Sequence, residues 1–271
     1  WGSPADELPP GVFDPNAGAA GAATAFQTPA QTGAGEVQTM RLSGTLSASA
    51  ILLLILVVAA WFGWESTTAV TAKNAAGQTR LVDFSIPPWI FVAAIAAFVL
   101  AIVTCFKPKL ARVTGPLYAV GEGALMGAIS KMYNAQFDGI VLQAILLTVG
   151  VFVMMLILYG TGTIRVTDRL RKGIIAAMGA VFLVYLFSAI ASLFGSSVPI
   201  VNSASPIGIG FSLIVVGVCS MNLLTDFDFI ERQVAAGAPR YMEWFGAFGL
   251  MLSLVWLYLE ILRLLGKLRS R

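Results

Sequence analysis

Three acidic residues follow one of the most apolar stretches of the sequence. The segment NLLTDFDFIERQ contains Asp226, Asp228 and Glu231. A further carboxylate, Glu122, lies within the apolar segment GPLYAVGEGALMGAISKMY. A charged carboxylate at membrane depth costs at least about 2.5 kcal/mol, so such a group has to be paired, hydrated or protonated. These acids are therefore the residues best suited to bind protons or cations.

Several kinds of chemistry are excluded by composition. The chain has no histidine, which removes Ser-His-Asp catalysis and histidine-bearing metal sites. Any proton sensing then has to use carboxylates. The net charge of +3 is small, and Lys and Arg occur in short clusters between apolar runs, so no nucleic-acid partner is expected. We predict that the chain is not an enzyme, takes no cofactor and has no tight metal site.

The acids have to be positioned by membrane-spanning helices. The sequence is 58% hydrophobic and 11% charged, with a mean hydropathy of +0.84, which is far more apolar than a soluble domain requires. Apolar runs recur at the length that a helix needs to cross about 30 Å of hydrocarbon. The sequence predicts an all-α polytopic membrane protein with seven spanning helices, at residues 46–64, 86–106, 116–133, 139–159, 173–194, 207–224 and 241–265.

The remaining amino-terminal part has a different composition. Residues 1–45 are rich in Ala, Gly, Pro and Thr and carry few large apolar side chains, which predicts a disordered tail before a helical domain at 46–268. Seven crossings put the two termini on opposite sides of the membrane. Ten Lys and Arg residues fall on the side of the amino terminus and seven on the other. The positive-inside rule thus favours a cytoplasmic amino terminus.

Glu122 and Asp226 are predicted to lie at matching depths. Glu122 is six residues beyond Pro116, about 9 Å into the third predicted helix, and Asp226 lies at the end of the sixth. Two such acids could share a proton, because like charges close together in low dielectric resist simultaneous ionisation. Asp228 is a further candidate for pH sensing, although for this residue we favour another interpretation, in which Thr225 and Asp228 cap a short surface helix that runs through Glu231.

A fourth intramembrane carboxylate, Glu260, lies in the last predicted helix. It is about 24 Å along the helix from Trp244, too far to reach Asp226. Arg263 follows three residues later on the same helix face, which predicts an intrahelical ion pair.

The order of these segments resembles the Bax inhibitor-1-like family, in its bacterial branch. The resemblance rests on NLLTDFDFIERQ, on YMEWFGAFGLMLSLVWLYLEILRLLGKL after it, and on GPLYAVGEGALMGAISKMY, FDGIVLQAILLTVGVFVMMLILYGTG and IRVTDRLRKGI earlier in the chain. It covers residues 40 to 268. The resemblance implies a bundle in which the seventh helix is surrounded by the other six. It also implies location in the inner membrane of a bacterium.

Members of that family are described as pH-sensitive calcium leak channels with two sensor aspartates. Asp226 matches the first of them. Alignment on Trp244 puts Ser253 at the position of the second, whereas alignment on Tyr258 and Leu259 makes Glu260 the partner; we prefer the first alignment. Our hypothesis is that Glu122 supplies the missing carboxylate. The resemblance also gives Arg263, paired with Glu260, a gating role near the far end of the pore.

Two functions follow as expectations. The first is a pH-sensitive calcium or cation leak through the lipid bilayer, with calcium passing transiently near Asp226 and Glu122 and no tight storage site. The alternative is a non-conducting protein that binds and modulates a membrane-bound protease through its exposed amino-terminal tail.

Overall fold

Seven α-helices form the membrane domain within the described part of the chain. The computed structural model describes residues 39–73, 79–194 and 203–270. The helices are α1 Leu42–Ser66, α2 Pro88–Phe106, α3 Ala111–Gln136, α4 Ile140–Gly160, α5 Asp168–Leu193, α6 Pro206–Ala235 and α7 Met242–Arg269. The predicted all-α architecture is confirmed. The predicted tail at 1–45 falls largely on residues 1–38, outside the described residues.

The connection between α1 and α2 is a β-hairpin that the sequence analysis did not predict. β1 Thr68–Lys73 pairs antiparallel with β2 Thr79–Ser85. The register shifts between Val70 and Thr71, where the hairpin has a bulge. Both strands carry Thr and Val at short spacing, and β-branched residues favour extended backbone. A short 3₁₀ turn, Pro108–Leu110, joins α2 to α3.

Two predicted helix boundaries are wrong in ways that matter for the acids. The sixth helix was predicted to end at residue 224, but α6 continues to Ala235 because no breaker occurs before Gly237, whose φ is 63°. The separate surface helix capped by Thr225 and Asp228 therefore does not exist. Thr225 Oγ1 instead donates to the Asn222 carbonyl at 2.7 Å, inside α6.

The first and third helices begin earlier than predicted. α1 begins at Leu42, inside the predicted tail at 1–45. α3 begins at Ala111, so Pro116 lies within it. Glu122 is therefore eleven residues into α3, about 16 Å deep rather than about 9 Å.

α7 is the central helix of the bundle. In its most apolar 18-residue stretch, 61% of α7 is buried. The corresponding share is 44% for α6 and at most 28% for α1, α2, α4 and α5. It packs against α1, α3, α4 and α6. The last helix is thus the most enclosed of these helices, and four of the six others pack closely against it.

α3 is the least apolar helix and is enclosed by its neighbours. Six of the described helices are long and apolar enough to cross a membrane, and α3 is not among them. Its glycines explain how it fits. A Cβ placed on Gly127 would overlap the Ala60 carbonyl of α1 and lie 2.7 Å from the Trp64 amide nitrogen. α3 therefore packs backbone to backbone on α1, through the small-residue face that the sequence shows.

The bundle has two distinct ends. At the hairpin end, next to the β-hairpin, the carboxyl end of α7 meets the start of α6, where Lys267 Nζ donates to the Gly208 carbonyl at 3.0 Å. At the opposite end, named here the Asp228 end, α6 turns into α7 and the Met40 amide donates to the Ala238 carbonyl at 2.7 Å.

Candidate functional site

A buried polar cluster joins α6 to α7 at Asp226. The Asn222 side-chain amide donates to Ser253 Oγ at 2.8 Å, and both residues are buried. Thr225 Oγ1 lies 3.0 Å from Asn222 Oδ1. The Ser253 hydroxyl also interacts with the carboxyl group of Asp226. A serine hydroxyl can accept one hydrogen bond and donate another, so Ser253 links Asn222 to Asp226.

One oxygen of Asp226 is left without a partner. Asp226 as a whole is partly buried, but its Oδ2 is fully buried and has no hydrogen-bond partner among the described residues. Buried polar atoms in proteins are almost always satisfied, and an unpaired buried charge is far more costly than an unpaired neutral group. The site is therefore suited to take up a proton or a cation at this oxygen.

Asp228 lies in a different environment, which corrects its predicted role as a helix cap. Its side chain is 10% exposed and forms ion pairs with Arg171 of α5 and with Arg232 one turn later in α6, the latter at 2.9 Å. Arg232 also reaches the Val166 carbonyl, at 3.4 Å. Asp228 thereby ties the start of α5 to the end of α6.

Further acids at this end are paired as well. Tyr159 at the end of α4 donates to Glu231. Glu243, which is buried at the start of α7, accepts from the Arg41 amide at 2.9 Å. Of the three acids in the opening segment, Asp226 is thus the one whose buried oxygen is not satisfied.

Glu122 lies elsewhere around α7. It interacts with Tyr118, one turn earlier in α3, and Tyr118 packs edge-on against Phe248 of α7 with ring centroids 5.2 Å apart. Ser253, which faces Asp226, is five residues after Phe248, or about 140° around the helix. Glu122 and Asp226 therefore approach α7 from different sides.

The depths of these two carboxylates still correspond. Asp226 is nine residues before the end of α6, which is about 14 Å from the Asp228 end of the bundle. Glu122 is about 16 Å from the same end, measured along α3. The interactions found for each acid do not include the other. The two acids thus lie at similar distances along their helices from this end of the bundle but have different neighbours, Tyr118 for Glu122 and Ser253 for Asp226.

Glu260 is the centre of a second cluster, nearer the hairpin end. It is 1% exposed, and its carboxylate accepts from Arg263 Nη1 at 2.7 Å, from the Tyr185 hydroxyl at 2.8 Å and from Trp256 Nε1 at 3.2 Å. Arg263 also lies over the Tyr185 ring, 4.8 Å from its centroid. The ion pair in the last helix is therefore extended to α5 through Tyr185.

Lys267 adds a buried cation at the hairpin end. It lies one turn beyond Arg263, is 7% exposed, and donates from Nζ to Ser212 Oγ at 2.8 Å as well as to the Gly208 carbonyl. These bonds join the last turn of α7 to the first turns of α6. A buried ammonium is thus held by a carbonyl and a hydroxyl at this end of the bundle.

An apolar layer separates the two polar clusters. Ser253 and Glu260 are seven residues apart on α7, about 10 Å. Leu257 of α7, with 0% exposure, lies between them along the helix, in one core cluster with Val215 and Cys219 of α6. Dry apolar constrictions of this kind block ions in channels. A dry layer therefore separates the two polar clusters in this structure.

Sequence reasoning missed three members of these clusters. Arg171 was counted only as a basic residue for topology, and its pairing depends on how α5 meets α6. Asn222 carried a readable signal, because it lies one turn before Asp226 on the same helix face. Tyr185 carried no such signal in the sequence, because a tyrosine within an apolar run is ordinary.

None of these arrangements is a strong metal site. Within the described ranges, no three Cys, Asp or Glu residues lie close enough together to hold a metal ion. The oxygens around Asp226 come from one carboxylate, one hydroxyl and one amide, which suits weak and transient binding of a hard cation.

The comparison with protein families agrees with this architecture. The family model described as Bax inhibitor 1 like matches residues 16–270, almost the whole chain. No curated protein and no solved structure matches the chain. The central last helix, the acid at Asp226 and the extent of the family match lead to one conclusion: this chain belongs to the Bax inhibitor-1-like family.

Proposed function

We propose that the protein is a pH-sensitive cation leak, with calcium as the conducted ion, controlled by protonation of Asp226. The observation that carries the proposal is the buried Asp226 Oδ2 without a partner, beside Asn222 and Ser253 at the interface of α6 with the central helix. A neutral carboxyl group can remain in this position at moderate cost, whereas a charged one needs water or a cation.

The control acts through the packing of α6 on α7. Water or a cation that enters at Asp226 and moves toward Glu260 has to be accommodated next to Leu257 and Cys219, which form the apolar layer. Hydration of this layer would connect the Asp226 cluster with the cluster around Glu260. Protonation and deprotonation of one carboxyl group thereby shift the balance between a dry and a hydrated layer.

The second cluster is the other barrier on this route. Arg263 is held by Glu260 and Tyr185, and Lys267 is held by Ser212 and Gly208. Two cations oppose the passage of calcium unless they move with α7. We assign the Glu260–Arg263 pair a gating role, in series with the apolar layer.

The test is calcium flux into dye-loaded proteoliposomes across a pH series. The wild-type flux is expected to change with pH, and Asp226→Asn is expected to give a flux that no longer depends on pH, because the amide cannot titrate. Asp83→Asn is the matched control: it makes the same chemical change at an exposed position of β2 and should keep the wild-type profile.

Two outcomes would overturn the proposal. If Asp226→Asn retains the wild-type pH profile, the sensor is another group, and Glu122→Gln and Glu260→Gln in the same assay identify it. If the folded wild-type protein conducts at no pH, the leak is wrong. In that case the alternative is tested by deleting residues 1–40. Loss of an interaction with a membrane-bound protease on this deletion would support the protease-binding function.

A further inference from the structure

A long apolar groove runs along the outside of the bundle between α1 and α4. Its volume is about 690 Å³, which lies in the range of about 300–1,000 Å³ found for small-molecule sites. Leu56 and Ala60 of α1 form one wall, Val149 and Phe152 of α4 form the other, and α3 and α7 form the floor with Met126 and Val255.

The groove extends from the hairpin end to the middle of the bundle. Its lining residues on α1 run from Leu53 to Glu65, and those on α4 run from Val141 to Val153. Each stretch covers thirteen residues, about 18 Å of helix. Compared with a hydrocarbon core of about 30 Å, the groove spans one leaflet. Val57 and Val149 are 61% and 53% exposed, so the groove opens to the surrounding lipid.

The mouth of the groove carries both signs of charge. Trp61, Trp64 and Glu65 line it at the end of α1, and tryptophan is enriched where a helix meets the membrane interface. Lys131 of α3 lies beside the mouth and not in the lining of the groove, and it donates from Nζ to the Trp64 carbonyl at 2.9 Å. An ammonium has three donors, of which this bond takes one. A cation and a carboxylate thus lie at the level of the lipid headgroups.

We propose that this groove is a phospholipid-binding site that takes one acyl chain, with a zwitterionic ethanolamine headgroup at its mouth. Lys131 binds the phosphate and Glu65 binds the primary ammonium. The apolar length matches one leaflet, and the paired charges match the two charges of this headgroup. Because lipid tails are already in an apolar medium, moving one into the groove gains packing but little hydrophobic free energy. Selectivity therefore comes from the two charges at the mouth.

The groove is tested by native mass spectrometry of the full chain released from nanodiscs that contain equal amounts of phosphatidylethanolamine, phosphatidylcholine and phosphatidylglycerol. The wild type is expected to retain one phosphatidylethanolamine, at several-fold higher occupancy than the other two lipids. Val149→Trp, which fills the groove from its wall, should lose this lipid. Met154→Trp adds the same side chain to an exposed position of α4 outside the groove and should retain it.

The headgroup contacts are tested separately. Glu65→Gln changes an exposed side chain and is expected to abolish the preference for ethanolamine over choline, whereas Lys131→Met should lower retention of all three phospholipids. Equal retention by the Val149 and Met154 variants, or equal retention of the three lipids by the wild type, would overturn the proposal. None of these measurements depends on calcium flux. A failure of the lipid-site proposal can therefore be distinguished from a failure of the proposed leak.

Discussion

At the scale of single residues, the acids of the segment NLLTDFDFIERQ lie in two different environments. Asp228 lies between two arginines, and Glu231 accepts from a tyrosine hydroxyl. Asp226 has a serine neighbour and a buried oxygen that no described residue satisfies. Two residues of the same type, two positions apart on one helix, therefore have different surroundings: Asp228 holds helices together, whereas one oxygen of Asp226 is left for a proton or a cation under the proposed function.

Replacing Asp228 should reduce stability more than it changes flux. Asp228→Asn removes the charge that holds Arg171 and Arg232, whose side chains are 33% and 50% exposed. Because both arginines reach solvent, we expect a loss of stability that is smaller than the cost of breaking a fully buried pair. Thermal unfolding in detergent measures it as a lower Tm.

A double-mutant cycle isolates the link between α5 and α6. Arg171→Gln and Asp228→Asn together should destabilise by less than the sum of the single changes, since they remove the same interaction. Simple additivity would show that the pair does not couple the helices.

At the scale of helices, α3 is held by close backbone contact rather than by apolar side chains. Gly121 faces Ala93 and Ala97 of α2, while Gly123 and Gly127 face α1. This packing explains why a helix with Glu122 and Lys131 can be placed inside a membrane bundle. Helix association in lipid depends on such close approach because the hydrophobic effect is largely absent there.

Gly127→Ala is expected to destabilise the bundle. The new Cβ would overlap the Ala60 carbonyl, so α1 and α3 have to move apart. The overpacking should cost about 1–3 kcal/mol, more than the gain of about 1 kcal/mol in helix propensity. Gly150→Ala is the matched control in α4, where an added Cβ meets nothing within 4 Å. A Tm that falls equally for both variants would argue against close packing as the cause.

At the scale of the whole molecule, α7 organises two polar clusters around one apolar layer. Asn222, Ser253 and Asp226 lie on one side of the layer, and Glu260, Arg263 and Lys267 lie on the other. Leu257 and Cys219, which have no or almost no solvent access, lie between them. The dry layer is thus a property of the assembled bundle and not of any one helix.

Leu257→Ser is expected to raise the basal calcium flux several-fold, because a hydroxyl in a smaller side chain lets water enter the layer. Leu146→Ser makes the same change on α4 at a position that is 63% exposed, and it should leave the flux unchanged. Proteoliposome flux at one fixed pH compares the two variants. If both leave the flux at the wild-type level, the layer is not the barrier.

Much of the architecture was determined by the sequence alone. The length and apolar content of each run predict a spanning helix, because a backbone in hydrocarbon has to satisfy its own hydrogen bonds. The absence of histidine and the rarity of acids in apolar runs singled out Asp226, Glu122 and Glu260. The small-residue face of α3 was readable for the same local reason, as was the spacing of Glu260 and Arg263.

Tertiary structure decided which of these groups meet. Glu122 and Asp226 have matching heights, but the side of α7 that each one faces depends on how α3 and α6 pack around that helix. The pairing of Asp228 with Arg171 joins residues 57 positions apart, and no local pattern reports such a distance. The groove between α1 and α4 likewise exists only after four helices are assembled. Local sequence sets where a helix crosses and what it carries, whereas contacts between helices depend on their relative rotation, which only packing fixes.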